Sequence, residues 1–280
     1  MRWPRALRAL REPLAAEVAQ GDVVLCAHHP ILRDLAATLA GAGFNLPRGR
    51  AIEVLVGAHD FARGRAPGRL RIALQTEQLA DARGSPLWAA RLGRELGGML
   101  GRCDAVIDLS PFNAPAYDRL PAADRARVVF GPFIFPDHAP AFDPGTGPEL
   151  VFFGAINPRR AAALERIAAR RPVRVLPPGT FGAALMAALA PAAGVLNLHY
   201  AEGTYTEAPR LLTALLAGKP VYSEPLAPPL EVGRHYLAPD AAACDATRAA
   251  AFAALRDEVA AAFRFSDGLA RAAALVPAGR

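Results

Sequence analysis

The feature that most constrains the fold is a repeated alternation of short apolar runs with helical patterns along almost the whole chain. In the first half, runs rich in Val, Ile and Leu predict strands at 23–29, 52–58, 70–76, 104–110 and 126–132. Helical patterns lie between several of them, notably at 31–42 and 86–101. Continuous apolar runs are typical of strands buried on both faces of a parallel sheet. The alternation therefore predicts an α/β fold built from β-α units.

The alternation is interrupted once, by the Pro- and Gly-rich segment DHAPAFDPGTGPE, and then restarts. Further strands are predicted at 150–156, 173–177, 194–200 and 220–224, with helices at 158–170, 180–190, 209–217 and 246–263. We expect an N-terminal domain (1–136), a linker (137–147), a C-terminal domain (148–266) and a tail (267–280). The predicted architecture is two Rossmann-like, doubly wound domains that face each other across a cleft, where ligands bind in this fold class.

Composition limits the partners of the chain. Hydrophobic residues make up 52% and charged residues 21%, which is enough apolar material for a folded core. The charge of +6 and pI of about 9.8 suggest nucleic-acid binding, but Lys219 is the only lysine among 32 basic residues and the arginines are spread along the chain. They form no basic stripe with interleaved aromatic residues. We therefore expect no nucleic-acid partner.

Cysteines and terminal segments bear on location. Cys26, Cys103 and Cys244 are far apart and have no zinc-ligand spacing, so we expect neither a disulfide framework nor a metal site. No stretch of 18 apolar residues and no secretory leader occur, which predicts a cytoplasmic protein. Residues 2–18 could form a basic amphipathic helix in peripheral contact with a membrane, or an ordinary surface helix.

The sequence FFGAINPRR predicts a sharp strand-to-helix turn. Gly154 follows the strand, Asn157 is placed to cap the helix, and Pro158 occupies its first position. A helix start offers free N–H groups to an anion, and Arg159 and Arg160 add positive charge, so a diphosphate could bind there. Alternatively, the turn merely starts a helix with solvated arginines.

A second segment, LNLHYAEGTYTEAPRLLTALLAGKPVYSE at 196–224, predicts a strand, a polar loop and a buried helix. Pro209 belongs in the first turn of that helix and Gly218 at its end. Glu207 and Arg210 then lie at the helix start, facing the same cleft. His199 lies at the strand end, either as a site residue or as a residue of the wall.

In order and spacing, these motifs resemble bacterial family-1-type glycosyltransferases of the GT-B architecture. The resemblance rests on 152–160, 196–200, 207–210 and Ser223-Glu224. It implies a metal-independent glycosyltransferase of polysaccharide or glycoconjugate assembly, without a cofactor, in which the C-terminal domain holds a nucleotide-sugar donor and the N-terminal domain an unidentified acceptor. The implied donor-binding residues are Gly154, Asn157, Arg159, Arg160, His199, Glu207 and Arg210.

One part of the family pattern is missing. The retaining enzymes carry two glutamates eight residues apart, but Tyr205 and Thr213 occupy those positions here, which leaves the stereochemical outcome open. In the N-terminal half the resemblance is limited to QTEQL (75–79) and DLSPFN (108–113). There Glu77 could orient an acceptor hydroxyl and His28 or His29 could act as a general base. Both types of residue are also common as helix caps.

Two other functions remain open. The single remaining glutamate favours a non-catalytic protein of the same fold that binds a nucleotide or a partner protein. A nucleotide-sugar 2-epimerase would share the architecture, although no acid-base set for that reaction is recognisable.

Overall fold

The computed structural model describes residues 16–44, 51–57, 67–79 and 92–277. The chain divides into two compact units. The first unit consists of the residues through Asp137 together with those from Phe263 onward, and the second is His138–Ala262. Each unit contains its own sheet, and parallel pairing predominates in both, so the predicted α/β class is confirmed.

Among the described residues of the first unit, six strands form one sheet in which spatial order follows chain order. Its strands are β1 (Ala16–Gln20), β2 (Val23–Ala27), β3 (Ile52–Val56), β4 (Leu70–Gln75), β5 (Ala105–Asp108) and β6 (Val128–Phe130). Strand β1 pairs antiparallel with β2, and all later neighbours are parallel. Its helices are α1 (Pro30–Ala42), α2 (Leu92–Arg102), α3 (Ala114–Tyr117), α4 (Ala122–Arg125) and α9 (Phe265–Ala274), with a 3-10 turn at Pro111–Asn113.

Two features of this sheet differ from the prediction. Residues 16–18 were assigned to a helix, but they form the start of β1, because Gly21 at φ 57 permits a two-residue hairpin into β2. The rest of that predicted helix lies outside the described residues. A doubly wound sheet reverses its strand order, whereas the order of the described strands here runs in one direction. The doubly wound prediction is therefore wrong for the first sheet.

The C-terminal segment is also different from the prediction. Residues 267–280 were assigned to a tail and 263–266 to the second domain, but from Phe263 onward the chain belongs to the first unit. Backbone bonds join Phe265 N to Phe135 O (2.8 Å) and Ile134 N to Phe263 O (3.2 Å). Helix α9 then buries Phe265, Leu269 and Ala272 and contacts β4, β5 and β6. Burial of this apolar face stabilises the position of the helix.

The second unit contains a four-stranded parallel sheet in the order β10-β9-β7-β8. Its strands are β7 (Leu150–Phe152), β8 (Val173–Val175), β9 (Gly194–Asn197) and β10 (Val221–Ser223). Its helices are α5 (Pro158–Ala168), α6 (Gly182–Leu189), α7 (Ala208–Leu216) and α8 (Asp245–Ala254), which continues as a π-helical segment, Leu255–Ala260. Every predicted strand exists, but each ends earlier than predicted. The residues beyond β7, β9 and β10 form loops.

Helix α7 shows why the local sequence adopts this structure. Leu211, Leu212 and Leu215 are fully buried and form the predicted apolar stripe. Gly218 at φ 70 ends the helix, and the bonds Gly218 N to Leu215 O and Lys219 N to Ala214 O complete a Schellman motif.

The predicted linker is held on the second unit. Asp143 N donates to Gly218 O (2.8 Å), and the fully buried Lys219 Nζ donates to Asp143 Oδ2 and Ala190 O, each at 2.7 Å. A buried ammonium requires such partners. The lone lysine of the chain therefore fastens the predicted linker, which is the start of the second unit, to the rest of that unit.

None of the helices that the structure describes is both long and apolar enough to cross a bilayer.

Candidate functional site

The site lies where the strand order of the second sheet reverses. From β7 the chain moves to β8 on one side and then returns to form β9 on the other side of β7. The ladder between β7 and β9 ends at the Val151–Val195 pair, before either strand ends. In open α/β sheets, ligands bind outside the carboxyl ends of the strands at such a reversal. The loops after β7 and β9 are therefore where a ligand is expected.

Asn157 joins these two loops. Its Oδ1 accepts from Arg160 N (2.8 Å) and caps α5, while its Nδ2 donates to Tyr200 O (2.6 Å). The cap and Pro158 at the first helical position confirm the predicted turn. Both ends of the amide are bonded within the protein, so the side chain of Asn157 shapes the site.

Arg159 forms a bidentate ion pair with Glu224, which follows β10. Arg159 Nη2 lies 2.6 Å from Glu224 Oε1 and Nη1 lies 3.0 Å from Oε2, while Nη1 also donates to His199 O (2.8 Å). Partial burial works against ionisation of Glu224, but the hydrogen bonds from Arg159 and from the backbone N of His199 hold its pKa below its usual value. The pair joins α5 to the ends of β9 and β10.

Arg160 and Arg210 form the inner part of the site. Arg160 donates from Nε to Leu198 O (3.0 Å) and from Nη1 to Ala155 O (2.8 Å). Arg210 Nη1 donates to Asn197 Oδ1 in a short hydrogen bond. Each guanidinium lies 5.6 Å from the centre of the Phe152 ring. Burial, and next repulsion by Arg210, lower the pKa of Arg160.

Gly154 provides space for these two guanidiniums. Its φ is 125, and a Cβ atom there would lie 3.1 Å from Arg210 Nη2 and 3.7 Å from Arg160 Nη1. Arg210 Nε is buried and finds no hydrogen-bond partner within the described part of the chain. A buried, unpaired N–H of a guanidinium is costly, and Arg171, Arg174 and Arg248 of the same unit also carry a buried Nε without a partner among the described residues.

Glu207 lies just before α7 in a strained conformation. Its φ of 48 and ψ of 31 are left-handed, a conformation that no other described non-glycine residue adopts. Such a conformation costs about 1–2 kcal/mol, and strain of this kind concentrates at ligand sites. Burial works against ionisation of Glu207, but Arg210, the bond with His199 and Arg160 together lower its pKa. Glu207 is therefore a carboxylate beside two guanidiniums.

His199 is fully buried between these groups. Its backbone N donates to Glu224 Oε2 (2.7 Å), Nε2 lies 2.9 Å from Pro225 O, and Nδ1 lies 3.4 Å from Glu207 Oε1. The ring of Tyr205 packs against it with centroids 4.8 Å apart. His199 is thus both part of the wall and a neighbour of the one carboxylate that the resemblance singled out.

The structure brings all seven predicted donor-binding residues into one cluster in the second unit. Three guanidiniums and two carboxylates leave one net positive charge. Such a site suits an anionic ligand that also presents hydroxyl groups. No group of three or more His, Cys, Asp or Glu side chains that could hold a metal ion occurs in 16–44, 51–57, 67–79 or 92–277.

The two predicted catalytic residues, His28 and Glu77, belong to the first unit. His28 follows β2 and is half-buried, while the neighbouring His29 accepts from Ile31 N (3.3 Å) and caps α1. Glu77 follows β4 with an exposed side chain. The catalytic roles of both residues remain predictions.

The DLSPFN segment connects two loops of the first unit. Asp108 accepts from Tyr117 Oη (2.7 Å), Asn113 Nδ2 (2.8 Å) and Ser110 N (3.0 Å). Asn113 also bonds Glu77 O (2.8 Å), which fastens the QTEQL loop. The segment therefore supports the loop that carries Glu77.

Sequence reasoning missed three members of the second-unit cluster as site residues. Asn197 is fully buried at the end of β9 and donates from Nδ2 to Ser223 Oγ (2.8 Å), which donates in turn to Glu224 O (2.6 Å). The available signal was a polar residue at the end of each of two apolar strands. Ser223-Glu224 had been noted only as part of the resemblance.

Comparison with known proteins identifies no family. No protein-family model and no curated protein matches the chain. Among solved structures, it is similar to TarM, with a TM-score of 0.47 and 10% identity over 86% of this chain and 58% of that chain. It is also similar to a mutant of S. aureus TarM in complex with Fondaparinux, alpha-GlcNAc-glycerol and UDP, with a TM-score of 0.41 and 10% identity over 86% and 55% of the two chains. The chain spans somewhat more than half the length of these structures.

Proposed function

We propose that the second unit binds a nucleotide-diphosphate sugar and that the protein is a metal-independent glycosyltransferase acting on a hydroxyl acceptor. The observation that carries the proposal is the convergence of Gly154, Arg160 and Arg210 at the strand-order reversal. The lack of a side chain at Gly154 lets Arg210 Nη2 and Arg160 Nη1 approach the backbone of the turn, and Arg210 Nε lacks a partner among the described residues. A diphosphate matches the charge and the donor geometry of this position.

The same arrangement suits the chemistry of sugar transfer. When the bond between the sugar and the diphosphate breaks, negative charge develops on the leaving diphosphate. Fixed guanidiniums next to it stabilise that charge more than they stabilise the ground state, and they lower the barrier. Arg160 and Arg210 are held by Leu198, Ala155 and Asn197, so they need little reorganisation during the reaction.

Glu207 supplies hydrogen-bond acceptors for the hydroxyl groups of the donor sugar or its ribose. Its carboxylate lies 3.9 Å from Arg210 Nη1, and its side chain is 20% exposed. A carboxylate accepts hydrogen bonds from hydroxyl groups, and a bidentate arrangement fixes their orientation. Arg159, in contrast, is committed to Glu224 and acts by holding the loop.

The binding step is tested by thermal unfolding with UDP, GDP, ADP and TDP at millimolar concentration. A diphosphate at about 100 times its Kd adds about 2.7 kcal/mol to stability and raises Tm by several degrees. Arg210→Gln should abolish the rise. Arg170→Gln, which changes an exposed arginine just after the C-terminal end of α5, should preserve it. No rise with any of the four diphosphates would contradict the proposal.

A second candidate is a non-catalytic nucleotide-binding protein. It is favoured by the hydrogen bonds that Arg159 and Arg160 already make to other groups of the protein, and by the presence of a single carboxylate next to Arg210. Release of nucleoside diphosphate from a nucleotide sugar separates the two candidates. Turnover that Glu207→Gln reduces at least tenfold supports the transferase, whereas binding without turnover supports the binding protein.

A further inference from the structure

The orientation of the His199 ring is determined by one of its neighbours. Pro225 O, 2.9 Å from Nε2, can only accept a hydrogen bond, so Nε2 carries a proton. The other ring nitrogen, Nδ1, lies 3.4 Å from Glu207 Oε1. In a neutral ring with this tautomer, a lone pair on Nδ1 would face a carboxylate oxygen, which is repulsive.

A second proton on the ring reverses the sign of that contact. With Nδ1 protonated, His199 donates to Glu207 in a charge-assisted hydrogen bond, for which distances are about 2.7–2.9 Å. The present 3.4 Å separation would then shorten. Arg210 Nη1, 3.9 Å from Glu207 Oε2, favours the ionised carboxylate, so a proton shared by His199 and Glu207 lies on the ring.

The charged groups around His199 come from three elements. Glu207 and Arg210 belong to the start of α7, Arg159 and Arg160 to the first turn of α5, and Glu224 follows β10. Of these, Glu224 accepts from the backbone N of His199, and Arg159 donates to its backbone O. A proton on the ring raises the net charge of the cluster from one to two, which favours an anionic ligand.

We propose that His199 is a positioning residue that takes up a proton when a nucleoside diphosphate binds, and that it then holds the Glu207 carboxylate through Nδ1–H. The inference rests on the proposed function, because the diphosphate supplies the negative charge that favours the proton. By linkage, the proton must favour the diphosphate to the same extent. The affinity for the diphosphate should therefore fall as pH rises and the proton becomes less available.

Two substitutions separate this role from a role in the wall. His199→Asn places an amide donor close to the position of Nδ1 and keeps a donor toward Glu207 at every pH. His199→Gln places the amide close to the position of Nε2, which keeps the bond to Pro225 and removes the donor toward Glu207. If the ring only packs in the protein interior and bonds Pro225, His199→Gln should weaken diphosphate binding less than His199→Asn does.

The test is calorimetric titration of the full chain with whichever of UDP, GDP, ADP and TDP stabilises it most. The titration is repeated in two buffers of different ionisation enthalpy, which gives the number of protons taken up. Proton exchange by the diphosphate itself is common to all variants and cancels in the difference from wild type. His235→Asn is the matched control, since His235 is a second buried histidine of the same unit that bonds a glutamate, Glu258 (3.0 Å).

We expect wild type and His235→Asn to take up more protons than either His199 variant, by up to about one, and to bind more weakly at about pH 8.5 than at about pH 6. His199→Asn should bind about tenfold more tightly than His199→Gln, with a flatter pH profile. Binding with equal proton uptake in all four proteins would overturn the inference and leave the proposed function standing, as would tighter binding by His199→Gln. Absence of any diphosphate binding by folded wild type would instead refute the proposed function, and the inference with it.

Discussion

Replacing Gly154 by alanine tests the geometry of the site most directly. At φ 125 an L residue is strained, which costs about 1–3 kcal/mol. The added Cβ would also lie 3.1 Å from Arg210 Nη2, so the guanidinium must move by a few tenths of an ångström. That movement disturbs the bond to Asn197 and adds about 1 kcal/mol. We expect Gly154→Ala to destabilise the second unit by about 2–4 kcal/mol and to weaken diphosphate binding.

Gly179→Ala separates strain from contact. Gly179 has φ 85 in the same unit, but a Cβ there would meet nothing within 4 Å. It should therefore cost about 1–3 kcal/mol through backbone strain alone and leave binding intact. Urea unfolding gives the stability of each variant, and the diphosphate-induced shift in Tm gives binding. Equal diphosphate shifts in wild type and Gly154→Ala would refute the assignment of this glycine to the anion site.

Three further predictions concern stability. Burial raises the pKa of Asp108 to about 7, against hydrogen bonds that favour the charged form. The contribution of Asp108 to stability is therefore greatest below the pKa of the unfolded chain and falls as pH rises through about 7. The urea midpoint of Asp108→Asn should rise relative to that of wild type between about pH 5 and pH 8, and a constant difference would contradict the raised pKa of Asp108. Gly268→Ala places a Cβ 2.6 Å from Phe133 Cβ and should lower the free energy of unfolding by about 1–3 kcal/mol, measured by thermal unfolding. Unchanged stability would contradict the packing of α9 on the first unit. The hydrogen bond from Lys219 lowers the pKa of Asp143 in the folded protein. The pair therefore stabilises the protein at a pH above the pKa of Asp143 in the unfolded chain, and this contribution is lost as pH falls through the pKa in the folded protein. Lys219→Met should lose less stability than wild type over that acidic range, and an equal loss in both proteins would count against the pair.

Local signals in the sequence were sufficient for the turn at the start of α5. Asn157 and Pro158 specify a helix start through a side-chain cap and a preset φ, which act within a few residues. The same holds for Gly218 and the Schellman motif at the end of α7. Such signals predict where an element begins or ends because the atoms that interact are close in the chain.

The separate tasks of the arginines could not be predicted in this way. Arg159 and Arg160 are adjacent in the sequence, yet one forms an ion pair with Glu224, 65 residues away, and the other bonds the backbone of Leu198. Only the reversal of strand order brings β9 beside β7 and these partners into reach. Similarly, residues 267–280 were predicted to be a tail, because the chain alone does not say which sheet buries the apolar face of helix α9.

By itself the sequence determined the α/β class, the positions of nearly all strands along the chain and the chemistry available at two strand-to-helix turns, because periodicity and capping are local. Tertiary structure alone decided which charges pair and which remain available for a ligand. Glu224 neutralises Arg159, and Asn157 bonds the backbone of Tyr200. Arg210 keeps a buried N–H without a partner among the described residues. The physical reason is that the free energy of a buried charge depends on neighbours within a few ångströms, and those neighbours are set by the folding of the sheet.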